Sequence, residues 1–219
     1  MSTSTSTSSP SSGPTARAAR LPREERRQQV LSAALEVFSV AGYHAASMDE
    51  IAERAGVSKP VLYQHFPGKL ELYLELLDTG VEDLLEAARQ ALSGTNDNST
   101  RVRAMVDAYF RFVEEPGGAF RLVFESDLAH EPAVSERVDG ADLTLATMSA
   151  AVIADDTGLS HEEAMLLASG MQGLVHVAAR RWLRSGAARL PREQATDLVA
   201  ALAWRGISDF PLTHPPQAE

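Results

Sequence analysis

No cysteine occurs among the 219 residues. Disulfides and thiolate metal sites are therefore excluded, and a reducing cytoplasm is the setting that fits. Lysine is almost as scarce, with Lys59 and Lys69 alone. No stretch reaches about 18 consecutive apolar residues, so neither a transmembrane helix nor a membrane partner is expected. The opening "MSTSTSTSSPSSGPTARAAR" lacks the apolar centre of a signal peptide. It is too polar to offset the entropy of ordering, so residues 1–20 read as a disordered tail. No run alternates as a strand does, and there is neither a nucleophile-elbow sequence nor a Gly-rich phosphate loop after a strand. An enzyme is not expected, nor a cofactor. His161, Glu162 and Glu163 could suggest a metal, but Ser160 and Glu163 are better explained as a capping box, so no metal site is expected.

What remains is an acidic, helix-forming chain. Hydrophobic residues make up 44%, enough to bury a core in one or two domains. The net charge of −10 is unevenly spread. Residues 1–69 hold eight Arg or Lys against six Asp or Glu, whereas residues 70–219 hold twelve against twenty-four. A mildly basic end can still bind phosphates on an acidic body, because salt screens charge over about 8–10 Å.

Apolar residues recur at a 3–4 spacing from Glu24 to Ala41, with Gly42 as the stop. Ser47 opens a second helix, with Glu50 completing a capping box, and Gly56 ends it. Ser58 is the N-cap of a third, short helix. Pro60 falls in its first turn, where a missing N–H does no harm. Leu62 and Phe66 share its inner face, leaving Lys59, Pro60, Tyr63 and Gln64 outward. A long amphipathic helix spans Lys69 to Leu92, and further helices are expected at about 99–114, 118–129, 131–155, 160–184 and 191–207.

Two helices joined by a tight Gly-containing turn, "MDEIAERAGVSKPVLYQHF", outline a helix-turn-helix. In that motif the second helix enters the major groove, and its N-terminus favours phosphate. The outline alone fits an ordinary helical hairpin equally well. The order of residues goes further: "AGYHAASMDEIAERAGVSKPVLYQHFPGKLELYLELL" resembles the N-terminal signature of the TetR family of transcriptional regulators. The resemblance implies an all-α homodimer that binds a double-stranded DNA operator. A three-helix DNA-binding domain (21–68) would precede a helical ligand-binding and dimerisation domain (69–214) and a short tail (215–219). It places Ser47, Lys59, Tyr63, His65 and Lys69 at phosphate contacts, with Ser58 at the DNA-facing N-cap. Pro60 and Gln64 fall where bases are read, and Pro60 departs from the commonest Thr or Gly there. "FRLVFESDLAHEPAV", "ARRWL" and "WRGISDFPLT" resemble the members of that family that respond to long-chain acyl-CoA and control fatty-acid synthase genes. That extends the resemblance over about residues 21–213 and implies a small-molecule effector in an apolar tunnel.

Read from the residues, Met105, Tyr109, Phe112, Phe124, Leu128, Met148, Val152, Met171, Leu174 and Val175 fall on inward helical spacings. Such a stripe lines either a ligand cavity or plain core. Arg101, Arg103, Arg180, Arg181 and Arg184 could meet CoA phosphates or simply be solvated. Gly170, Gly173 and the Ala-rich last helix suit a four-helix dimer interface or intrachain packing. An efflux-pump repressor that binds drug-like molecules is the alternative within the family. A small-molecule carrier without DNA binding and an α-helical enzyme are the alternatives outside it.

Overall fold

The computed structural model describes residues 22–115 and 130–205, together with 119, 122 and 128 between them. The expected N-terminal tail, most of the helix expected at 118–129, Phe124 and the residues after 205 lie outside the described residues. Those described form eight α-helices and no strand: α1 (Arg23–Ala45), α2 (Met48–Arg54), α3 (Lys59–His65), α4 (Lys69–Ser93), α5 (Asn98–Glu114), α6 (Pro132–Thr157), α7 (His161–Arg184) and α8 (Arg192–Arg205).

Local chemistry sets most of the boundaries. Gly42 adopts φ 75°, a backbone that L side chains rarely accept, and breaks α1 near its end. At Ser47 only the hydroxyl half of the expected capping box forms, with Glu50 N–H donating to Ser47 Oγ at 3.1 Å. At Ser160 both halves form: Glu163 N–H donates to Ser160 Oγ, and Ser160 N–H donates to Glu163 Oε2. Asp97 caps α5 by accepting from the Thr100 N–H at 2.7 Å. Between α2 and α3, Gly56 takes φ 63°, which turns the chain tightly enough for Val57 N–H to donate to the Ala52 carbonyl.

Helices α1, α2 and α3 pack on one another and, through α1, on α4. Helix α4 then packs against α5 and α6, α7 lies along α6, and α8 closes over α5 and α7. Arg101 of α5 donates to the Leu92 carbonyl of α4, so α5 starts where α4 ends and runs back beside it. One apolar core continues from Val30, Ile51 and Leu62 through Leu72, Tyr73 and Leu77 of α4 to Phe110, Val134 and Trp182. No gap separates the short N-terminal helices from the rest.

Tyr73 holds that continuity. It is 1% exposed. Its ring meets Phe38 and Tyr43 edge-on, with both centroids 5.3 Å away. Its hydroxyl donates to the Leu122 carbonyl at 3.3 Å. Two ion pairs brace the same helix to its neighbours: Arg27 of α1 to Glu75 at 2.5 Å, and Arg137 of α6 to Asp78 at 2.6 Å. We predict that Tyr73→Phe costs about 1 kcal/mol and lowers Tm by about 2–4 °C. Tyr73→Ala, which empties the shared core, costs about 3–5 kcal/mol. Thermal melts of the three proteins check this, and equal losses in Phe and Ala would contradict the packing role of the ring.

Candidate nucleic-acid interface and ligand cavity

Helix α3 is short, so its orientation depends on burial. Leu62 (0% exposed) and Phe66 (3%) anchor it, and Arg27 of α1 lies 4.7 Å over the Phe66 ring. The opposite face is open: Ser58, Lys59, Pro60 and Gln64 are exposed, and Tyr63 is 48% exposed. Ser47 is also exposed, and its hydroxyl proton stays free to donate while its oxygen caps α2. His65 is half-buried. Burial, then Arg23, Arg27 and Arg26, hold its imidazole below the ordinary histidine value, against a weaker opposing effect of Glu24. These groups form an array of hydroxyl, ammonium and imidazole donors on a fixed two-helix unit.

The two lysines differ in state. Lys59 pairs with Asp49 at 2.6 Å, and both side chains are more than half exposed. Lys69 is engaged in holding the fold. Its ammonium donates to the carbonyls of Tyr43 (2.7 Å) and Ala46 (2.9 Å), with a longer contact to His44 (3.4 Å). It also lies 4.3 Å over the Tyr43 ring. The chain break at Gly42 leaves these carbonyls pointing together, and Lys69 ties them to the first turn of α4. The phosphate contact expected of Lys69 thus meets an ammonium already saturated by backbone oxygens.

A second feature lies among α4–α8. A cavity of about 490 Å³, within the range of small-molecule sites, is walled mostly by apolar side chains. Of the residues expected there, Met105, Tyr109, Val152, Met171 and Val175 line it. Phe112, Leu128, Met148 and Leu174 do not. Phe112 is buried in the main core, Leu128 and Met148 pack against that core, and Leu174 is half-buried. Sequence reasoning missed Leu84, Ala88 and Leu92 of α4, Leu145, Ser149 and Ile153 of α6, and Trp204 of α8. The apolar stripe of α4 carried the signal, since it runs well past the contact with α1.

The exposed lining residues, Asp156, Thr157, Leu167 and Trp204, gather at the end where α5 begins. This is the mouth, and Arg101 sits in it. Its guanidinium donates to the carbonyls of Leu92 (3.0 Å) and Thr95 (2.8 Å), to Asn98 (2.9 Å) and, at 3.3 Å, to Asp156. Arg103 is paired with Asp197 at 2.8 Å. Arg101 and Arg103, two of the five arginines named as candidates for a ligand's phosphates, therefore already have partners. Among the described residues no cluster of three or more His, Asp or Glu could hold a metal ion, and no helix is long and apolar enough to cross a membrane.

Residues 30–76 match the family described as "Bacterial regulatory proteins, tetR family". Over 194 residues the chain is 46% identical to the HTH-type transcriptional activator FasR of Mycolicibacterium smegmatis, covering 89% of this chain and 88% of that one. In structure it is similar to a TetR-like transcriptional regulator from Rhodococcus sp. RHA1, with TM-score 0.72, 28% identity, and coverage of 87% of this chain and 100% of that one. It also shares its fold with FadR from Bacillus subtilis, solved in complex with stearoyl-CoA. There the TM-score is 0.67 at 19% identity, over 82% of this chain and 98% of that one.

The two lysines should separate in stability. Lys69→Ala removes a charged donor from two close carbonyls, so we expect a loss of about 2 kcal/mol and a Tm lower by about 4–8 °C. Lys59→Ala breaks only an exposed pair and should move Tm by less than about 2 °C. Calorimetry of both variants decides it, and similar shifts would contradict the clamp.

Proposed function

The chain belongs to the TetR family of bacterial regulatory proteins, and on that premise we propose that it is a homodimeric transcription factor whose grip on its operator is set by a long-chain acyl-CoA. The observation that carries this reading is that one helix serves both sites. Helix α4 begins in the Lys69 clamp under the exposed face of α3 and ends in the wall of the apolar cavity with Leu84, Ala88 and Leu92. At 25 residues it is about 37 Å long, enough to join the two without a flexible link. The division into DNA-binding residues 21–68 and ligand-binding residues 69–214 follows this helix.

On DNA, α3 enters the major groove with Pro60 and Gln64 toward base edges. Ser47, Ser58, Lys59, Tyr63 and His65 meet phosphates, and Lys69 supports them from behind. Asp49, the present partner of Lys59, gives up its ammonium to the backbone. A second copy is expected on α7 and α8. Leu166 is 75% exposed there and Val177 65%, and open space surrounds Gly170 and Gly173. Occupying the cavity moves α4, which changes the spacing of the two α3 helices. Half-sites near 34–36 Å apart tolerate little such change.

Apolar walls and a mouth edged by Arg101 suit a long hydrocarbon chain. The FadR solved in complex with stearoyl-CoA shares the fold, which supports an acyl-CoA as the ligand. At the mouth, a CoA phosphate would displace Asp156 from Arg101, which keeps one anion at that guanidinium.

Operator binding tests both halves of the reading. Measured from 50 to 200 mM salt, Lys59→Ala should reduce the log–log salt slope by about 0.9 for each subunit on the DNA, hence by about 1.8 for a dimer. An unchanged slope removes Lys59 from the interface, and a drop of about 0.9 means that one subunit binds. Titrating the complex with acyl-CoAs of about 8 to 20 carbons should show affinity rising with length until the cavity is full. A flat series, or an equal response to free CoA, rejects the acyl-CoA reading and favours a regulator of drug efflux.

A further inference from the structure

The inner end of the cavity is a thin wall. Tyr109 and Gln172 line the cavity, and both also line a second hollow of about 400 Å³ between α6 and α7. The second hollow is edged by Leu143, Ala146 and Met165, with Asp142, Ser169 and His176 among them. Nothing but these two side chains is common to both linings.

Each wall residue is fixed from the far side. Tyr109 is 8% exposed, and its hydroxyl shares a 2.7 Å hydrogen bond with His176 Nδ1. His176 lines the second hollow and not the first. Gln172 Nε2 donates to Asp142 Oδ1 at 2.7 Å, and Asp142 likewise lines only the second hollow. Burial, and then the neighbouring Asp142 carboxylate, push the Tyr109 phenol far above its ordinary range, so it stays neutral. Two uncharged side chains are thus moored outside the ligand cavity and block its inner end. A chain entering at Arg101 meets them after the length of α5 from Arg101 to Tyr109, about 12 Å at 1.5 Å per residue.

We propose that Tyr109 and Gln172 act as a gate between the two hollows and set the longest acyl chain that the cavity accepts. Below that length each added methylene buries apolar area. Above it the chain must either stay outside the mouth or break the moorings to His176 and Asp142. The ring of Tyr109 supplies the barrier, and its hydrogen bond fixes where the barrier stands. This rests on the reading of the cavity as a hydrocarbon site, and the test separates the two.

The experiment measures binding to the full chain of two homologous series, acyl-CoAs and the corresponding 1-alkanols, in wild type, Tyr109→Ala, Tyr109→Phe and Gln172→Ala. Operator binding without ligand and thermal melts confirm that each variant is folded. In wild type, affinity rises with length and stops at a defined carbon number. In Tyr109→Ala the plateau moves to longer chains, each further methylene gaining up to about fourfold. In Tyr109→Phe, which keeps the ring and loses only the mooring, the plateau moves less than in Tyr109→Ala. Gln172→Ala opens the same wall and also shifts it upward, which keeps the test decisive if Tyr109→Ala does not fold. A plateau unmoved in the folded alanine variants overturns the gate, as does one moved equally by phenylalanine. If alkanols show the shift and acyl-CoAs do not bind at all, the gate stands and the CoA assignment falls.

Discussion

The continuity of the apolar core along α4 is the constraint on which the rest of the molecule depends. A helix buried on one stretch of its length can tilt against its neighbours. A helix buried at both ends against different partners cannot move at one end without disturbing the other, because close-packed interiors transmit displacement rather than absorb it. Leu72, Tyr73 and Leu77 are almost fully buried near the start of α4, and Leu84 and Ala88 further on. Between them, Arg27–Glu75 and Arg137–Asp78 brace the helix to α1 and to α6. An event at the cavity wall therefore has a mechanical route to α3 that needs no hinge.

Electrostatics follow the same division. The acidic majority of the chain repels a polyanion at long range, yet α3 lies at the end that carries the small basic excess. Screening confines the repulsion to about a Debye length, so the local array decides contact and the distant charge weakens binding chiefly at low salt. The pairing of Lys59 with Asp49 adds a local brake. A phosphate reaching Lys59 would have to outcompete a carboxylate already in place, which would favour a site offering several phosphates at once over one isolated charge.

Much of this was legible in the sequence where chemistry is local. Capping residues, the first-turn Pro60 and the Gly42 stop are set by neighbours three or four residues away. The helix boundaries therefore fell close to expectation: Lys69–Ser93 against Lys69–Leu92, and Asn98–Glu114 against about 99–114. The orientation of α3 was legible for the same reason, since Leu62 and Phe66 leave one possible inner face. The clamp made by Lys69 was not. A lysine at that position reads as a phosphate contact, and only the fold shows the carbonyls of Tyr43, near the end of α1, and of Ala46, just past it, beneath the ammonium. The cavity was half legible. Spacing tells which residues point inward, but whether they meet another side chain or a void depends on how helices cross. Phe112 and Tyr109 share the inner side of α5, three residues apart; only Tyr109 reaches the void.

The scarcity of lysine has a practical side. Any reagent directed at ε-amines finds two targets in this sequence, and the structure makes them unequal. Lys59 stands in solvent with one exchangeable partner, while the amine of Lys69 is enclosed by carbonyl oxygens and an aromatic face. Amine-directed labelling therefore divides the chain's chemistry into a fast site and a slow one. The fast site lies on the face proposed to meet a nucleic acid, so its protection would report occupancy. The slow one reports opening of the joint between α1 and α4, so a single reagent reads contact and integrity on separate residues.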